Sequence, residues 1–201
     1  QSYGRHPLQR LYTGYRLLEW LHEAAEVGLG VAFKGGEQRV HRLQDQQFLI
    51  NAALQGRWPA LQTLIPPGLA PQVAHWDPVA LGYEPSGQRC PRFRYDAPVL
   101  PGTEIELADR AWQVHAAPGH DPDSVILFEP GSRTLISADA LWENGFGVVF
   151  PELDGERAFD DVAAVFDLIE RLSPRLVIPG HGAPFADVAD AVHRARSRLA
   201  A

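Results

Sequence analysis

Methionine is absent from all 201 residues, and cysteine occurs once, at Cys90. Without methionine the chain is not a complete initiating reading frame: a start has been removed or is missing. A lone cysteine excludes an internal disulfide and a thiolate metal cage, and it fits a reducing, cytoplasmic compartment. No apolar run approaches the ~20 residues that a membrane helix needs. The longest candidates, such as Ser124 to Phe128 and Leu176 to Ile178, are strand-sized, and no secretory apolar segment follows Gln1. Basic side chains are also in deficit, 18 against 25 acidic ones, for a formal charge of −7. A nucleic-acid binder carries the opposite balance or a basic stripe. The sequence therefore predicts neither a nucleic acid nor a membrane as partner, and the acidic excess reads as a solvated surface.

What remains is ordinary globular composition, 45% hydrophobic and 21% charged, enough for one larger domain or two small ones. Tyr15 to Val27 reads as an amphipathic helix with Leu17, Leu18, Leu21, Ala24 and Ala25 on one face, ended by Gly28 and Gly30. Phe48 to Leu54 reads as helical again, broken by Gly56 to Pro59. Eight prolines between Pro66 and Pro101 forbid long regular elements there. Beyond them the pattern sharpens. Glu104 to Ala108 and Ala111 to Ala116 flank a two-residue turn at Asp109-Arg110. Ser124 to Phe128 and Arg133 to Ser137 flank Glu129-Pro130-Gly131-Ser132, which carries strong turn chemistry. A helix over Asp160 to Leu172, a short strand over Leu176 to Ile178 and a last helix over Ala186 to Leu199 complete a mixed α/β or α+β pattern.

Three positions carry metal-capable side chains just after predicted strands, beside glycine or small residues. They are His120 in Pro118-Gly119-His120, Asp139 in Ser137-Ala138-Asp139-Ala140, and His181 in Pro179-Gly180-His181-Gly182. Strand ends leaving one sheet together can converge their side chains on one rim. Two imidazoles and a carboxylate suit zinc, manganese or iron. Their sequence separations are too long for a local motif, so only a fold could bring them together. Each alone reads equally well as a hydrogen-bonded surface residue; three in one setting favour a site.

Other residues have less to offer. Asp121 and Asp123 line the mouth of such a site or, the preferred reading, cap a turn beside Pro122. His115 alternates with Val114 on a strand and reads as structural. His22, His75 and His193 have no metal-like context. Ser124 lacks a histidine base at useful spacing and reads as structural.

The same residues resemble a known family. Ala117-Pro118-Gly119-His120-Asp121-Pro122-Asp123-Ser124, Leu135-Ile136-Ser137-Ala138-Asp139-Ala140-Leu141-Trp142 and Val177-Ile178-Pro179-Gly180-His181-Gly182 are similar to metallo-β-lactamase-fold hydrolases. The resemblance extends over about the last 130 residues, including Leu61 to Pro67 and Trp76 to Arg94. It implies an α/β fold, the family's αβ/βα sandwich with a metal site at the sheet rim. It also implies that His120 binds one metal, Asp139 bridges two, and His181 binds the second. Asp139 would then be both ligand and catalytic residue, with one or two Zn2+ ions, or iron or manganese. Substrate would approach over Trp142 and Phe146, although core packing is an equal reading for Trp142. The family's chemistry implies metal-assisted hydrolysis of a small ester, thioester or lactam.

The family's main ligand motif, His-x-His-x-Asp-His, has no counterpart. Counting back from Asn51-Ala52-Ala53-Leu54, it should occupy Arg42 to Gln47, where the chain reads Arg-Leu-Gln-Asp-Gln-Gln. Tyr12 also stands where the family places an acidic residue before Thr13-Gly14. The expected organisation is therefore an atypical or truncated segment over 1–47 and a metallo-β-lactamase-like domain over 48–201. The departures leave three further readings open. One is a non-catalytic binding or scaffold domain derived from the fold. Another is a mononuclear iron oxygenase acting on thiol-derived substrates. The last is a segment before Phe48 that is not native to the fold.

Overall fold

The structure, a computed structural model, describes residues 52, 55–60, 62–81, 90–107, 109–153 and 155–201. The predicted helix over Tyr15 to Val27, the Arg42 to Gln47 positions and the boundary at 47/48 all lie outside the described residues. Those described fall into two compact units. One comprises residues 64–71 and 96–201; the described residues among 52–63 and 72–95 belong to the other.

In the smaller unit, residues 55–57 are helical, so the helix runs through Gly56 and stops at Trp58-Pro59. The Gln55 side chain ties that turn to later chain, donating to Thr63 Oγ1 at 2.8 Å and to the Arg94 carbonyl at 2.6 Å. Phe93, buried, meets Trp76 edge-on with centroids 5.4 Å apart. A short helix, α1 (Ala70–His75), admits Pro71 because the first turn has no intrahelical use for that N–H.

The larger unit carries two short parallel strands, β1 (Leu64–Ile65) and β2 (Ala97–Pro98). It also carries a five-stranded sheet. Its strands are β3 (Glu104–Leu107), β4 (Arg110–Ala116), β5 (Val125–Glu129), β6 (Thr134–Ala138) and β7 (Leu176–Pro179), in spatial order β3-β4-β5-β6-β7. The first three pairings are antiparallel and β6–β7 is parallel. The β6–β7 crossover runs through α2 (Phe150–Leu153) and α3 (Phe159–Leu172), and α4 (Val188–Leu199) follows β7.

Register explains the core. Ile126, Phe128, Leu135 and Val177 alternate onto one face of the sheet and are buried there. Against them pack Val162, Val165, Phe166 and Ile169 of α3, and Val188, Ala191, Val192 and Ala195 of α4. Both helices show the predicted amphipathic spacing. His115 pairs with Ile126 and so shares its face; the ring is half-buried, and its Nε2 has no hydrogen-bond partner among the described residues. Burial pushes its pKa down, which keeps that ring neutral and structural.

The first hairpin differs from expectation by one residue. Leu107 pairs with Arg110, which puts Asp109 in the turn and Arg110 inside β4. Asp109 takes φ 60°, as a tight hairpin demands. The second hairpin forms as predicted. Its Glu129 is buried and accepts the N–H groups of Gly131 and Ser132, each at 2.8 Å, the Ser132 hydroxyl, and Arg110 Nη1 at 3.1 Å. These donors, the Ser132 hydroxyl foremost, hold the Glu129 carboxyl down at about 2 from its ordinary 4.5.

Candidate metal centre

Because β3–β4–β5–β6 alternate in direction and β7 runs parallel to β6, strands β4, β6 and β7 all point the same way. Their C-terminal ends share one rim. His120 lies just past β4, Asp139 directly after β6, and His181 just past β7.

The three side chains meet at the carboxylate. His120 Nε2 lies 3.5 Å from Asp139 Oδ2, and His181 Nε2 lies 3.6 Å from Asp139 Oδ1. Each imidazole therefore addresses a different carboxylate oxygen. Among the described residues, no group of three or more His, Cys, Asp or Glu side chains is arranged to hold a metal ion. The arrangement is two donor pairs sharing one carboxylate.

A tight turn presents Asp139. Ala138 takes φ 46°, Ala140 N–H donates to the Ser137 carbonyl at 3.0 Å, and the buried Ser137 hydroxyl donates to the Leu141 carbonyl at 2.6 Å. The backbone on either side is pinned as well. Gly147 N–H donates to the Asp139 carbonyl at 2.8 Å, and Gly180 N–H to the Ala138 carbonyl at 2.7 Å. Neither glycine has room for a side chain. A Cβ on Gly180 would lie 2.7 Å from Asp139 Oδ1, and one on Gly147 would lie 2.7 Å from His120 Nδ1.

Two further groups orient the donors. His120 Nδ1 lies 2.7 Å from the Val148 carbonyl. A carbonyl only accepts, so Nδ1 carries the proton, and in the neutral ring Nε2 presents its lone pair to Asp139. The Trp142 indole N–H donates to Asp139 Oδ1 at 3.0 Å, and its ring meets His181 edge-on at 5.1 Å. A lone pair facing a carboxylate at 3.5 Å is a pair of acceptors that a cation between them would stabilise. The separation exceeds the roughly 2.7–2.9 Å of a charge-assisted hydrogen bond. It is close to the edge of a tetrahedron whose ligands each sit about 2.0–2.2 Å from an ion. The donor set therefore fits a divalent ion, each pair supplying two of the three protein ligands that a catalytic zinc takes.

Trp142 and Phe146, predicted to bind substrate, have different surroundings. Phe146 is 7% exposed and packs edge-on against Phe166 of α3 at 5.6 Å. It is part of the core behind the site and lines a small cavity there with His120 and Asp139; in the run Phe146-Gly147-Val148 it is Val148 that turns outward. Trp142 is half-buried against Asp139 and His181, donating to the first and meeting the ring of the second. The exposed apolar groups beside the site are Val148, 51% exposed, and Phe150, 48% exposed, whose ring lies 5.0 Å from that of His120. Sequence reasoning missed both, and Gly147 with them; the available signal was the alternating glycines of Gly145-Phe146-Gly147. Asp121 caps a turn as preferred, its Oδ1 accepting Asp123 N–H at 2.9 Å. A groove of about 450 Å3 between the end of α3 and the start of α4 shares no residue with the three donors. No helix among the described residues is long and apolar enough to cross a membrane.

Known proteins share this arrangement of strands and helices. The family model of the metallo-beta-lactamase superfamily matches residues 49–181. Among solved structures, a beta-lactamase domain protein from Burkholderia ambifaria aligns with TM-score 0.56 and 23% identity, over 72% of this chain and 46% of its own. The B3 metallo-beta-lactamase BLEG-1 aligns with TM-score 0.55 and 19% identity, over 72% and 66% of the two chains. TTHA1623, solved in a di-iron-bound form, aligns with TM-score 0.52 and 23% identity, over 74% and 68%. This chain thus spans less than half the length of the Burkholderia protein. At these identities the solved structures speak for the fold, and the family match covers about two thirds of the sequence. The chain belongs to the metallo-beta-lactamase superfamily.

Proposed function

We propose that the chain is a metal-dependent hydrolase acting on a small ester, thioester or lactam, with His120, Asp139 and His181 as metal ligands. The observation that carries this reading is the shared carboxylate, one oxygen facing each imidazole. Zinc suits the donors best, with iron or manganese as alternatives. A bound divalent ion supplies two things to such a reaction: a coordinated water acidified to about pKa 7, and polarisation of the scissile carbonyl.

The chain's own groups prepare for that chemistry. The Val148 carbonyl fixes the His120 tautomer, so Nε2 is free to ligate. Trp142 N–H neutralises part of the charge on Asp139 Oδ1 and stops the carboxylate from rotating. Phe150 and Val148 give the site an apolar flank, against which the hydrocarbon part of a substrate would lie while excluding water. The acidic surface disfavours a nucleic-acid substrate. A reducing, cytoplasmic setting suits a sequence whose one cysteine is Cys90.

Plasma emission on protein purified without added metal tests the reading. About one zinc or iron ion per chain is expected, abolished by His181→Ala and retained in His193→Ala; two per chain would mean that ligands beyond His120, Asp139 and His181 exist. Esterase, thioesterase and lactamase assays on the metal-loaded chain then choose the substrate. Equal effects of the two histidine variants would refute the ligand assignment. A metal-free chain, even after reconstitution, would make this a non-catalytic domain derived from the fold. Iron with strict oxygen dependence would favour the thiol oxygenase.

A further inference from the structure

We propose that Arg194 and Arg198 of α4 are positioning residues: they clamp the loop between Asp139 and Gly147 so that the Trp142 indole stays on the carboxylate. Arg194 donates twice to one acceptor, Nε at 2.9 Å and Nη2 at 2.6 Å from the Glu143 carbonyl. One turn further along the same helix face, Arg198 Nη1 lies 3.4 Å from the Phe146 carbonyl, and its guanidinium sits 5.2 Å over the Phe146 ring. Gly145 makes room for it, since a Cβ there would lie 2.8 Å from Arg198 Nη1.

The loop's own backbone bonds fasten it at Trp142 and at Gly147. It closes on itself through Trp142 N–H to the Gly145 carbonyl at 2.7 Å and is anchored at its end by Gly147 N–H on Asp139. Glu143 and Asn144 between them are exposed. The fork of Arg194 holds the carbonyl of Glu143, the residue after Trp142, and so restrains the stretch of loop from which the indole leaves. The same indole donates to Asp139 and meets His181. Arg194 itself is exposed, while the core face of α4 is made by Val188, Ala191, Val192 and Ala195. Its removal therefore leaves the packing of the helix in place. Lysine, a single point charge, cannot reproduce two bonds to one carbonyl.

The functional consequence rests on the metal-dependent reading, but the clamp itself can be read without metal. The full chain is labelled with 15N, and the Trp142 indole signal is identified among five tryptophans by its loss in Trp142→Phe. In Arg194→Ala, exchange of that indole N–H with water should speed up by about tenfold as its hydrogen bond opens more often. The remaining indoles and the thermal midpoint should stay put. Arg194→Lys should fail to rescue it, and Arg198→Ala should give a smaller change in the same direction. Zinc affinity by chelator competition should fall roughly tenfold in Arg194→Ala, with no further fall when the change is added to Trp142→Phe.

An unchanged Trp142 indole in Arg194→Ala would overturn the clamp. So would a fall in thermal midpoint with every indole shifted, which would make Arg194 a general structural residue. If the parent protein takes up no zinc, the hydrolase reading fails, and the indole comparison still decides the clamp.

Discussion

Replacing Gly147 by alanine tests whether the geometry around Asp139 is as tight as described. The added Cβ would lie 2.7 Å from His120 Nδ1, 2.9 Å from Asp139 Cβ and 3.1 Å from the Asp139 carbonyl oxygen. Ordinary contacts between such atoms sit near 3.5–4.0 Å, so the first two are too close by roughly 0.6 Å or more and the third by a few tenths of an ångström. Relief has two routes. His120 can swing away, losing its bond to the Val148 carbonyl, or the Asp139 backbone can shift, losing the Gly147 N–H. Overpacking of this kind costs about 1–3 kcal/mol. In a chain of this size each kcal/mol moves the thermal midpoint by roughly 2–4 °C. Urea and thermal unfolding with chelator present measure that cost on the metal-free chain, and zinc titration then reports the displaced donors. Gly56→Ala is the control: no described residue lies within 4 Å of its Cβ position, on a helical turn, so it should gain up to about 1 kcal/mol. If Gly147→Ala unfolds within about 0.5 kcal/mol of the parent and binds zinc equally well, the close approach of His120, Asp139 and Gly147 is wrong.

Three other outcomes follow from specific contacts. Trp142→Phe removes the donor to Asp139 Oδ1 while keeping an aromatic ring against His181; zinc affinity should drop about 10–100-fold by chelator competition, and unchanged affinity would deny the indole its orienting role. Glu129 has its pKa depressed from 4.5 to about 2. Its contribution is therefore present above pH 4.5 and is lost as pH falls from there towards 2; Glu129→Gln should flatten the acid limb of stability against pH, and parallel limbs would contradict the assignment. Ile169→Ala, at a fully buried position, should cost about 2–5 kcal/mol in urea unfolding. Leu153→Ala, at a side chain 73% exposed, should stay within about 0.5 kcal/mol of the parent.

How far the sequence was legible depended on the reach of each signal. The turn at Glu129-Pro130-Gly131-Ser132 was readable because its bonds are local: Glu129 accepts from residues two and three positions away. The turn before Arg110 was misplaced by one residue because Arg110 also answers a distant group, the Glu129 carboxylate. The amphipathic helices were readable from apolar spacing. The packing of Phe146 is not legible locally because its partner, Phe166, sits on a helix twenty residues later. Trp142 looked like substrate wall or core, and its hydrogen bond to Asp139 could not be read before the turn at Ala138 was known. Gly147 went unnoticed because its role is an absence of atoms, visible only beside His120 and Asp139.

Strand direction explains why the three donors were individually visible and yet unprovable as a group. Asp139 and His181 meet because β7 runs parallel to β6, and a parallel neighbour requires a crossover. Reversing β7, four residues long, would carry His181 to the opposite edge, about 13 Å away at the usual rise per residue. The crossover here contains α3, whose Val162, Val165, Phe166 and Ile169 also build the core. The packing that stabilises the sheet is therefore the packing that delivers His181 to the rim. α4 closes the arrangement from the other side: its buried face packs beside α3 on the same core, and its arginines hold the loop that carries Trp142. Site and core are two faces of one crossover. A variant that loosens α3 against the sheet should accordingly weaken zinc binding before the chain unfolds, and Ile169→Ala, titrated with zinc well below its thermal midpoint, is where that coupling should be seen.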